Sequence, residues 1–435
     1  MDLERTESLM QSLKINKLFQ NETIRNGAFF TLFSFVNRGM NFILLILLAR
    51  FITPTEYGYW SLFGTIVMFI GYFMAMTTEG YISVAYFQEG MTGVKKSYSC
   101  ILLTTLIVSC VLFSAITLLR DSLQEILDIP WQYLYLAVGI TFFTVHSNIC
   151  LNYLRIKKKI ALYGLFSCSS AFFVFGLSIF LVKYLLMGWQ GCAQAQFFSV
   201  LLFGTIGLCY FLFSKKIVAP NIKHWKMMLC WGIPLIPHLA AQFIRLGCDR
   251  YIINHYYSIE IVGLFSFAYT IAMAISTIGY GFNEANSVNI YEILGDDNLK
   301  SKEKINLLIK QKKNMLLVYL CGLIITVLLS IILVPVFLPK YIASISYFLF
   351  LSFFAFFQCL YFLYTNFLFY FKRTQSLMFI TFSFAVMHLV ISLSFTQFSL
   401  YCTCVAYCVT QLGVVFFVRR KSIQLLQQHL NLQDD

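Results

Sequence analysis

The chain has 435 residues, of which 59% are hydrophobic, 18% aromatic and only 12% charged, and its formal net charge is +13. A soluble domain carries roughly 25% charged residues, so the composition excludes an ordinary water-soluble protein. The net positive charge does not indicate nucleic-acid binding, which needs a basic face on a soluble module. The thirteen cysteines lie mostly inside apolar stretches, so we expect reduced thiols, no metal and no cofactor.

Twelve apolar stretches are long enough to cross a bilayer, which takes about 20 residues. Six precede and six follow the basic break "SKKIVAPNIKHWKMM". They predict an all-α polytopic membrane protein whose twelve transmembrane helices form two six-helix lobes. The expected divisions are a cytoplasmic N-terminal segment (1–26), an N-lobe (27–213), a cytoplasmic linker (214–227), a C-lobe (228–418) and a cytoplasmic tail (419–435).

The orientation follows from the lysines and arginines. Most of the 32 fall in the N-terminus, in the C-terminus and in the loops that follow even-numbered spans. Cytoplasmic loops carry an excess of these residues, so both termini are expected in the cytoplasm. The N-terminus has no small-residue cleavage site after its polar stretch, so it is not expected to be a secretory signal.

One stretch of the sequence, predicted to form a turn between two spans, occurs twice. The stretch "ARFITPTEYGYWSLF" at 49–63 recurs as "NHYYSIEIVGLFSFAY" at 254–269, at a constant offset of 205. The matching pairs are Thr53 and Ser258, Gly58 and Gly263, Ser61 and Ser266, and Thr65 and Thr270. The offset equals six spans, so both halves enter the membrane in the same direction. This predicts parallel lobes around a central cavity, as in transporters that rock about the membrane normal.

The repeated stretch also carries helix-start signals. Thr53 suits an N-cap, Pro54 the first helical position, and Glu56 completes a Thr-x-x-Glu capping box. In the second copy, Ser258 occupies the cap position and Glu260 the first turn. We therefore predict that one helix begins directly after Thr53 and another directly after Ser258.

Three stretches resemble a known family. "LLARFITPTEYGYWSLF" is similar to the first hairpin of bacterial polysaccharide-unit exporters, and "GCDRYIINHYYSIEIVGLFSFAY" to their hairpin between spans seven and eight. "TTEGYISVAYF" resembles the end of their second span, with Glu79 where an aspartate is common. The chain thus resembles the O-antigen flippase (Wzx-type) group of the multidrug/oligosaccharidyl-lipid/polysaccharide exporter superfamily.

The resemblance implies a flippase in the bacterial inner membrane that works by alternating access. Its expected substrate is an undecaprenyl-diphosphate-linked oligosaccharide, moved from the cytoplasmic to the periplasmic leaflet. The lipid bilayer is the other expected partner, and a polysaccharide polymerase and chain-length proteins are candidate partners. No catalytic residues are expected.

Arg38 is the deepest charge, about 16 Å along span one at ~1.5 Å per residue. A charge there costs ~2.5–3.5 kcal/mol on insertion scales, so a lipid-facing position is disfavoured. Arg38, flanked by Asn37 and Asn41, either lines the cavity and meets the diphosphate or a sugar, or pairs with a carboxylate of another span.

Span seven carries a second polar cluster beside two prolines. His238, Gln242, Arg245 and Asp249 follow helical spacings of four, three and four, which predicts one cavity-facing stripe. Arg250, the next residue, is a further candidate for the cavity. Prolines inside a span predict a bend. Arg245 and Asp249 either contact substrate or neutralise each other. His238 either couples transport to protons or hydrogen-bonds a neighbour.

Glu79 and Glu284 lie 205 residues apart, each at the predicted cytoplasmic end of the second span of its half. An acid there opposes the helix dipole. These glutamates either bind loop cations in one state, as an inner gate, or are solvated remnants of the duplication. His146 on span four is a weaker candidate for ion coupling.

Two other functions remain open on the sequence. A cation-coupled multidrug exporter of the same superfamily would share the two-lobe plan, but the deepest charge, Arg38, favours an anionic cargo. A membrane polysaccharide polymerase or ligase would need a large external loop with catalytic groups, whereas the longest loop, 283–314, is predicted to be cytoplasmic.

Overall fold

The computed structural model describes residues 22–214, 216–296 and 298–434, and every regular element within these ranges is helical. In the first half the helices are α1 (Glu22–Phe51), α2 (Pro54–Met74), α3 (Tyr81–Leu127), α4 (Trp131–Ile156), α5 (Ile160–Ile179) and α6 (Gly188–Phe213). In the second half they are α7 (Ile222–Gly232), α8 (Ile236–Leu246), α9 (Cys248–Tyr256), α10 (Ile259–Gly295), α11 (Ser301–Phe337), α12 (Ser344–Tyr370), α13 (Thr374–Phe395) and α14 (Leu400–Asp434).

The predicted spans appear as helices. Among the described residues, 11 helical segments are long and apolar enough to cross a membrane. The remaining predicted span is α1, a helix of 30 residues. The prediction of an all-α polytopic membrane protein is confirmed. Residues 1–21 of the predicted N-terminal segment lie outside the described part of the chain.

Both predicted helix starts are confirmed. The Thr53 hydroxyl oxygen accepts from the Glu56 backbone N–H at 3.2 Å, and the Glu56 carboxylate accepts from the Thr53 backbone N–H at 2.8 Å. This is a complete capping box. The Ser258 hydroxyl caps α10 by accepting from the Ile261 N–H at 3.4 Å. Each cap fixes the residue at which the chain turns back into the bundle.

The two halves pack alike. In the first half α4 packs on α2, α5 and α6, and in the second half α12 packs on α10, α13 and α14. The helices related by the repeat therefore have equivalent neighbours, as expected for two copies of one six-helix unit. The halves meet mainly where α2 packs on α10. The predicted parallel two-lobe arrangement is confirmed.

Span seven is broken into three helices. A 3-10 turn at Ile233–Leu235, which contains Pro234, separates α7 from α8, and Gly247 separates α8 from α9. The predicted bend is confirmed, since proline cannot donate the helical hydrogen bond. The second break was not anticipated. α7 packs on α3 in the first half, whereas α9 contacts α10 and α13 in the second.

Helix α11 runs well beyond the thickness of a bilayer. α11 has 37 residues, which at ~1.5 Å per residue is about 55 Å against a hydrocarbon core of about 30 Å. The lysine-rich segment of the stretch 283–314 forms the start of this helix. Within it, Lys304 is fully buried and donates to the Leu294 carbonyl at 3.2 Å.

Candidate functional site

The two copies of the duplicated turn contact each other. The hydroxyls of Ser61 on α2 and Ser266 on α10 are 2.7 Å apart, and these residues are themselves related by the offset of 205. Within each helix, the threonine four residues later makes an equivalent bond to the backbone. Thr65 donates to the Ser61 carbonyl at 3.0 Å, and Thr270 donates to the Ser266 carbonyl at 2.9 Å. We call this α2–α10 contact the paired turns.

Two glycines allow the paired turns to approach closely. A Cβ added at Gly58 would overlap the carbonyl oxygen of Ile259, and one added at Gly263 would overlap that of Pro54. Each glycine therefore faces the backbone at the start of the opposite helix, and any side chain would force the two helices apart. This reciprocal contact gives the repeated glycine a packing role.

A central cavity of about 300 Å³ adjoins the paired turns. Its lining comes from both halves: Leu45, Tyr57, Trp60, Ser61, Gly64, Thr65, Met68, Gln196, Arg250, Ser266 and Thr270. Arg250 is the one charged residue in this lining. Its Nε donates to the Ser266 hydroxyl at 3.3 Å, and its Cζ lies 5.6 Å from the ring centroid of Tyr269. The positive charge is thus held beside the contact between the lobes.

A second cavity, of about 460 Å³, lies within the first half. We call it the N-lobe cavity. Its polar lining residues are Asn37, Asn41, Trp60, Thr144, Ser147, Asn148, Ser170, Ser178, Gln196 and Ser199. Leu45, Trp60 and Gln196 line both cavities, so the two spaces share a wall. Asn37 and Asn41 were predicted to face a cavity, whereas the hydroxyl-bearing residues were missed.

An apolar groove opens between the lobes. It has a volume of about 500 Å³, and its lining is drawn from α1, α10 and α11, with Leu338 just beyond α11. Among its residues are Phe42, Ile46, Leu47, Ile271, Ala274, Ile278, Ile325, Leu329 and Leu333. Arg50, near the end of α1, is its one charged residue.

Asp249 belongs to a buried network of the second half. Its carboxylate lies 2.7 Å from His388 Nε2 on α13 and accepts a short hydrogen bond from the Ser392 hydroxyl. Both Asp249 and His388 are almost completely buried. Arg245 instead donates to the Gln411 side-chain carbonyl on α14 at 2.8 Å. The alternative in which Arg245 and Asp249 neutralise each other is therefore not the arrangement found.

The prediction of a single polar stripe along span seven is also wrong. Because α8 ends at Leu246 and α9 begins at Cys248, residues 238–249 do not form one continuous helix. Gln242 is exposed, Asp249 is buried, and only Arg250 of this group lines the central cavity. The side chain of His238 lies outside the described part of the structure, as does that of Arg38.

The remaining candidates are separate from the cavities. His146 is fully buried, with its ring nitrogens 3.3 Å from the Tyr98 hydroxyl and 3.4 Å from the Thr105 hydroxyl. Glu79 lies in the 3-10 turn before α3 and is half-buried, whereas Glu284 is exposed on α10. No ion pair involves either glutamate within the described residues. The inner-gate hypothesis stays a prediction.

The buried pair makes a testable contribution to stability. Leaving a buried hydrogen-bonding group without its partner costs ~1–3 kcal/mol, and removal of the Asp249 carboxylate would leave both His388 and Ser392 in that situation. We expect Asp249→Ala to lower the thermal unfolding temperature of the purified protein, whereas D249A/H388L should recover part of the loss. Asp121→Ala, at an exposed carboxylate, is the control. Equal unfolding temperatures for Asp249→Ala and Asp121→Ala would contradict a structural role for the pair.

Comparisons with known proteins agree with this architecture. Residues 23–285 match the family described as "Polysaccharide biosynthesis protein". Protein 1 of the Lsg locus of Haemophilus influenzae is 25% identical over 265 residues, which is 58% of this chain. That match spans 62% of the relative, less than two thirds of its length.

Solved structures share the fold. An inward-facing multidrug resistance MATE family transporter of the MOP superfamily aligns with a TM-score of 0.73 and 14% identity, over 90% of this chain and 95% of its own. An outward-facing MATE transporter of that superfamily aligns with a TM-score of 0.60 and 16% identity, over 93% and 97%. This multi-pass membrane protein has helices that can span a membrane and shares its fold with MATE transporters, and it belongs to the polysaccharide biosynthesis protein family.

Proposed function

We propose that the protein is a flippase that moves an undecaprenyl-diphosphate-linked oligosaccharide from the cytoplasmic to the periplasmic leaflet of the inner membrane. The observation that carries this proposal is Arg250. It is the one charged residue lining a cavity that is bounded by both lobes. A diphosphate is an anion that must leave water to cross, and a guanidinium donates several hydrogen bonds to phosphate oxygens.

The substrate's two ends have different requirements. Its polar head must be shielded from hydrocarbon, while its prenyl tail is soluble there. The groove between α1, α10 and α11 is lined mainly by aliphatic side chains, so we propose it as the passage through which the tail remains in contact with lipid. Arg50 in this groove adds a second positive charge.

Transport then follows from rocking of the lobes. With the termini in the cytoplasm, as the lysine and arginine distribution predicts, the paired turns face the periplasm. Their contact closes the central cavity on that side, and their separation would release the head group outward. No nucleotide-binding motif is present in the sequence, so an ion gradient or consumption of the product would supply the direction.

A multidrug exporter of the same fold is less well supported. Such transporters need negative charge for cationic drugs, but the two cavities present Arg250 and no carboxylate in their linings. Asp249, the buried acid next to Arg250 in the sequence, is already in hydrogen-bonding contact with His388 and Ser392. A polymerase or ligase would also need catalytic groups, and neither lining offers an acid pair or a Ser–His arrangement.

The Arg250 charge is tested by a pair of variants. Hydrogen bonds to charged groups contribute ~1.5–3 kcal/mol, so we expect Arg250→Gln to weaken substrate binding about 10- to 150-fold. Arg250→Lys should retain part of this binding. In the host cell, surface polysaccharide and the pool of lipid-linked units are measured at matched expression. Arg120→Gln, at an exposed arginine, is the control.

The expected result is that Arg250→Gln loses surface polymer and accumulates lipid-linked units. A wild-type amount of surface polymer in the Arg250→Gln strain would show that Arg250 is not needed for transport. Unchanged polymer after deletion of the gene, with altered drug sensitivity, would instead favour the drug exporter.

A further inference from the structure

The N-lobe cavity presents neutral hydrogen-bonding groups on four helix faces. α4 contributes Thr144, Ser147, Asn148 and Leu151, whose spacings of three, one and three residues lie on one face. The corresponding faces of α1, α5 and α6 contribute Asn37 and Asn41, Ser170 and Ser178, and Gln196 and Ser199. Trp60 of α2 completes the lining. None of these lining residues is charged.

Several of these groups are satisfied within the protein. Asn37 donates to the Ser167 hydroxyl at 3.1 Å, and Asn41 donates to the Asn37 side-chain carbonyl at 3.1 Å. Ser170 and Ser199 donate to the Ser167 and Ser170 carbonyls, at 2.8 and 3.4 Å. These bonds tie α1, α5 and α6 together and hold one wall of the cavity.

Two amides are different. Asn148 on α4 and Gln196 on α6 make no hydrogen bond within the described part of the chain. A side-chain amide offers two donors and an acceptor with two lone pairs. Two unengaged amides on neighbouring helices thus offer both kinds of partner to a ligand in this space.

The cavity also has the size and position of a ligand site. Its volume of about 460 Å³ falls within the roughly 300–1,000 Å³ of small-molecule pockets. Trp60 and Gln196 line both this cavity and the neighbouring central cavity that holds Arg250. A ligand with an anionic group at Arg250 would therefore extend its neighbouring part past Trp60 and Gln196 toward Asn148.

We propose that the N-lobe cavity is the sugar subsite and takes an uncharged, hydroxyl-rich part of the head group, with Asn148 and Gln196 as its specificity-determining contacts. Each sugar hydroxyl is both donor and acceptor, as each amide is. Trp60 supplies an apolar ring face with an N–H donor at its edge. This inference rests on the proposed flippase function and assigns its sugar and diphosphate to separate subsites.

The test uses the full chain in detergent and two probes. Neutral oligosaccharides released by mild acid from the host's surface polymer probe the sugar subsite, and inorganic pyrophosphate probes Arg250. Binding is followed by the shift in thermal unfolding temperature across a concentration series. We expect Gln196→Leu and Asn148→Leu to weaken glycan binding by a few-fold to about tenfold, the range of one hydrogen bond each. Asn148 lines only the N-lobe cavity, so Asn148→Leu should leave pyrophosphate binding unchanged.

Arg250→Gln should show the opposite pattern, and Gln424→Leu, at an exposed position of α14, should bind both probes normally. Glycan binding that is absent in the wild type, or unaffected by both cavity variants, would overturn the sugar subsite. If pyrophosphate still binds and the lipid-linked units are still transported, the flippase proposal survives that result. If neither probe binds and the deletion strain makes unchanged surface polymer, both the sugar subsite and the flippase proposal are overturned.

Discussion

Joining positions 61 and 266 by a disulfide, in the double variant S61C/S266C, is expected to abolish export, and a reductant is expected to restore it. The two serine hydroxyls are 2.7 Å apart, so cysteine sulfurs at these positions would come within bonding reach. A bond there would hold the paired turns together. If transport requires the lobes to part at this contact, the linked protein binds its cargo but does not release it outward.

The chain has thirteen native cysteines, so the single variants S61C and S266C are essential controls. Each single variant should export normally, both oxidised and reduced. The cross-link is followed as a change in gel mobility, and export as surface polymer. Full export from quantitatively cross-linked protein would show that the paired turns need not separate.

Gly263→Ala is expected to impair the same contact from the opposite direction. Its methyl group would overlap the Pro54 carbonyl oxygen, and overpacking of this kind costs ~1–3 kcal/mol. At about 1.4 kcal/mol for each factor of ten, the paired state should become roughly 5- to 150-fold less populated. Export should fall because the cavity is no longer closed firmly on this side during each cycle.

The same helix offers a matched control. Gly281 on α10 has no atom within 4 Å of an added Cβ, so Gly281→Ala should leave export and contact unchanged. The measurement is the rate of cross-linking of S61C/S266C in each background, which reports how often the turns meet. Equal cross-linking rates in the Gly263→Ala and Gly281→Ala backgrounds would contradict a packing role for Gly263.

Features set by local physics could be predicted from the sequence. Hydropathy gives the spans because the bilayer fixes their length. The capping box at Thr53 and the break at Pro234 depend on residues only a few positions apart, so their chemistry is visible in the sequence. The offset of 205 likewise revealed two parallel copies.

Contacts between distant segments could not be predicted in this way. The repeat indicated that two turns are alike, but not that Ser61 meets its own copy, Ser266. Asp249 has a basic residue four positions earlier, so the sequence left open a local pairing with Arg245. The structure supplies His388, 139 residues away, because α9 packs on α13. A break at Gly247 removes the helical register on which the local pairing depended.

The N-lobe cavity was missed for another reason. Its hydroxyl and amide residues are scattered singly through apolar spans, where charged residues such as Arg38 draw attention first. A signal was nevertheless present in span four, where Thr144, Ser147 and Asn148 share one helical face. Such an uncharged polar face on a membrane helix indicates a surface that is turned away from lipid.

The most direct test of the central claim is the membrane leaflet in which the lipid-linked oligosaccharide resides when S61C/S266C is the cell's only copy of the protein. Accessibility to a membrane-impermeant sugar-modifying reagent, applied to intact and to permeabilised cells, reports the leaflet. Under oxidising conditions, the proposed mechanism predicts that the lipid-linked unit is trapped on the cytoplasmic leaflet and moves outward when reductant is added. Accumulation on the periplasmic leaflet while the cross-link is intact would contradict it.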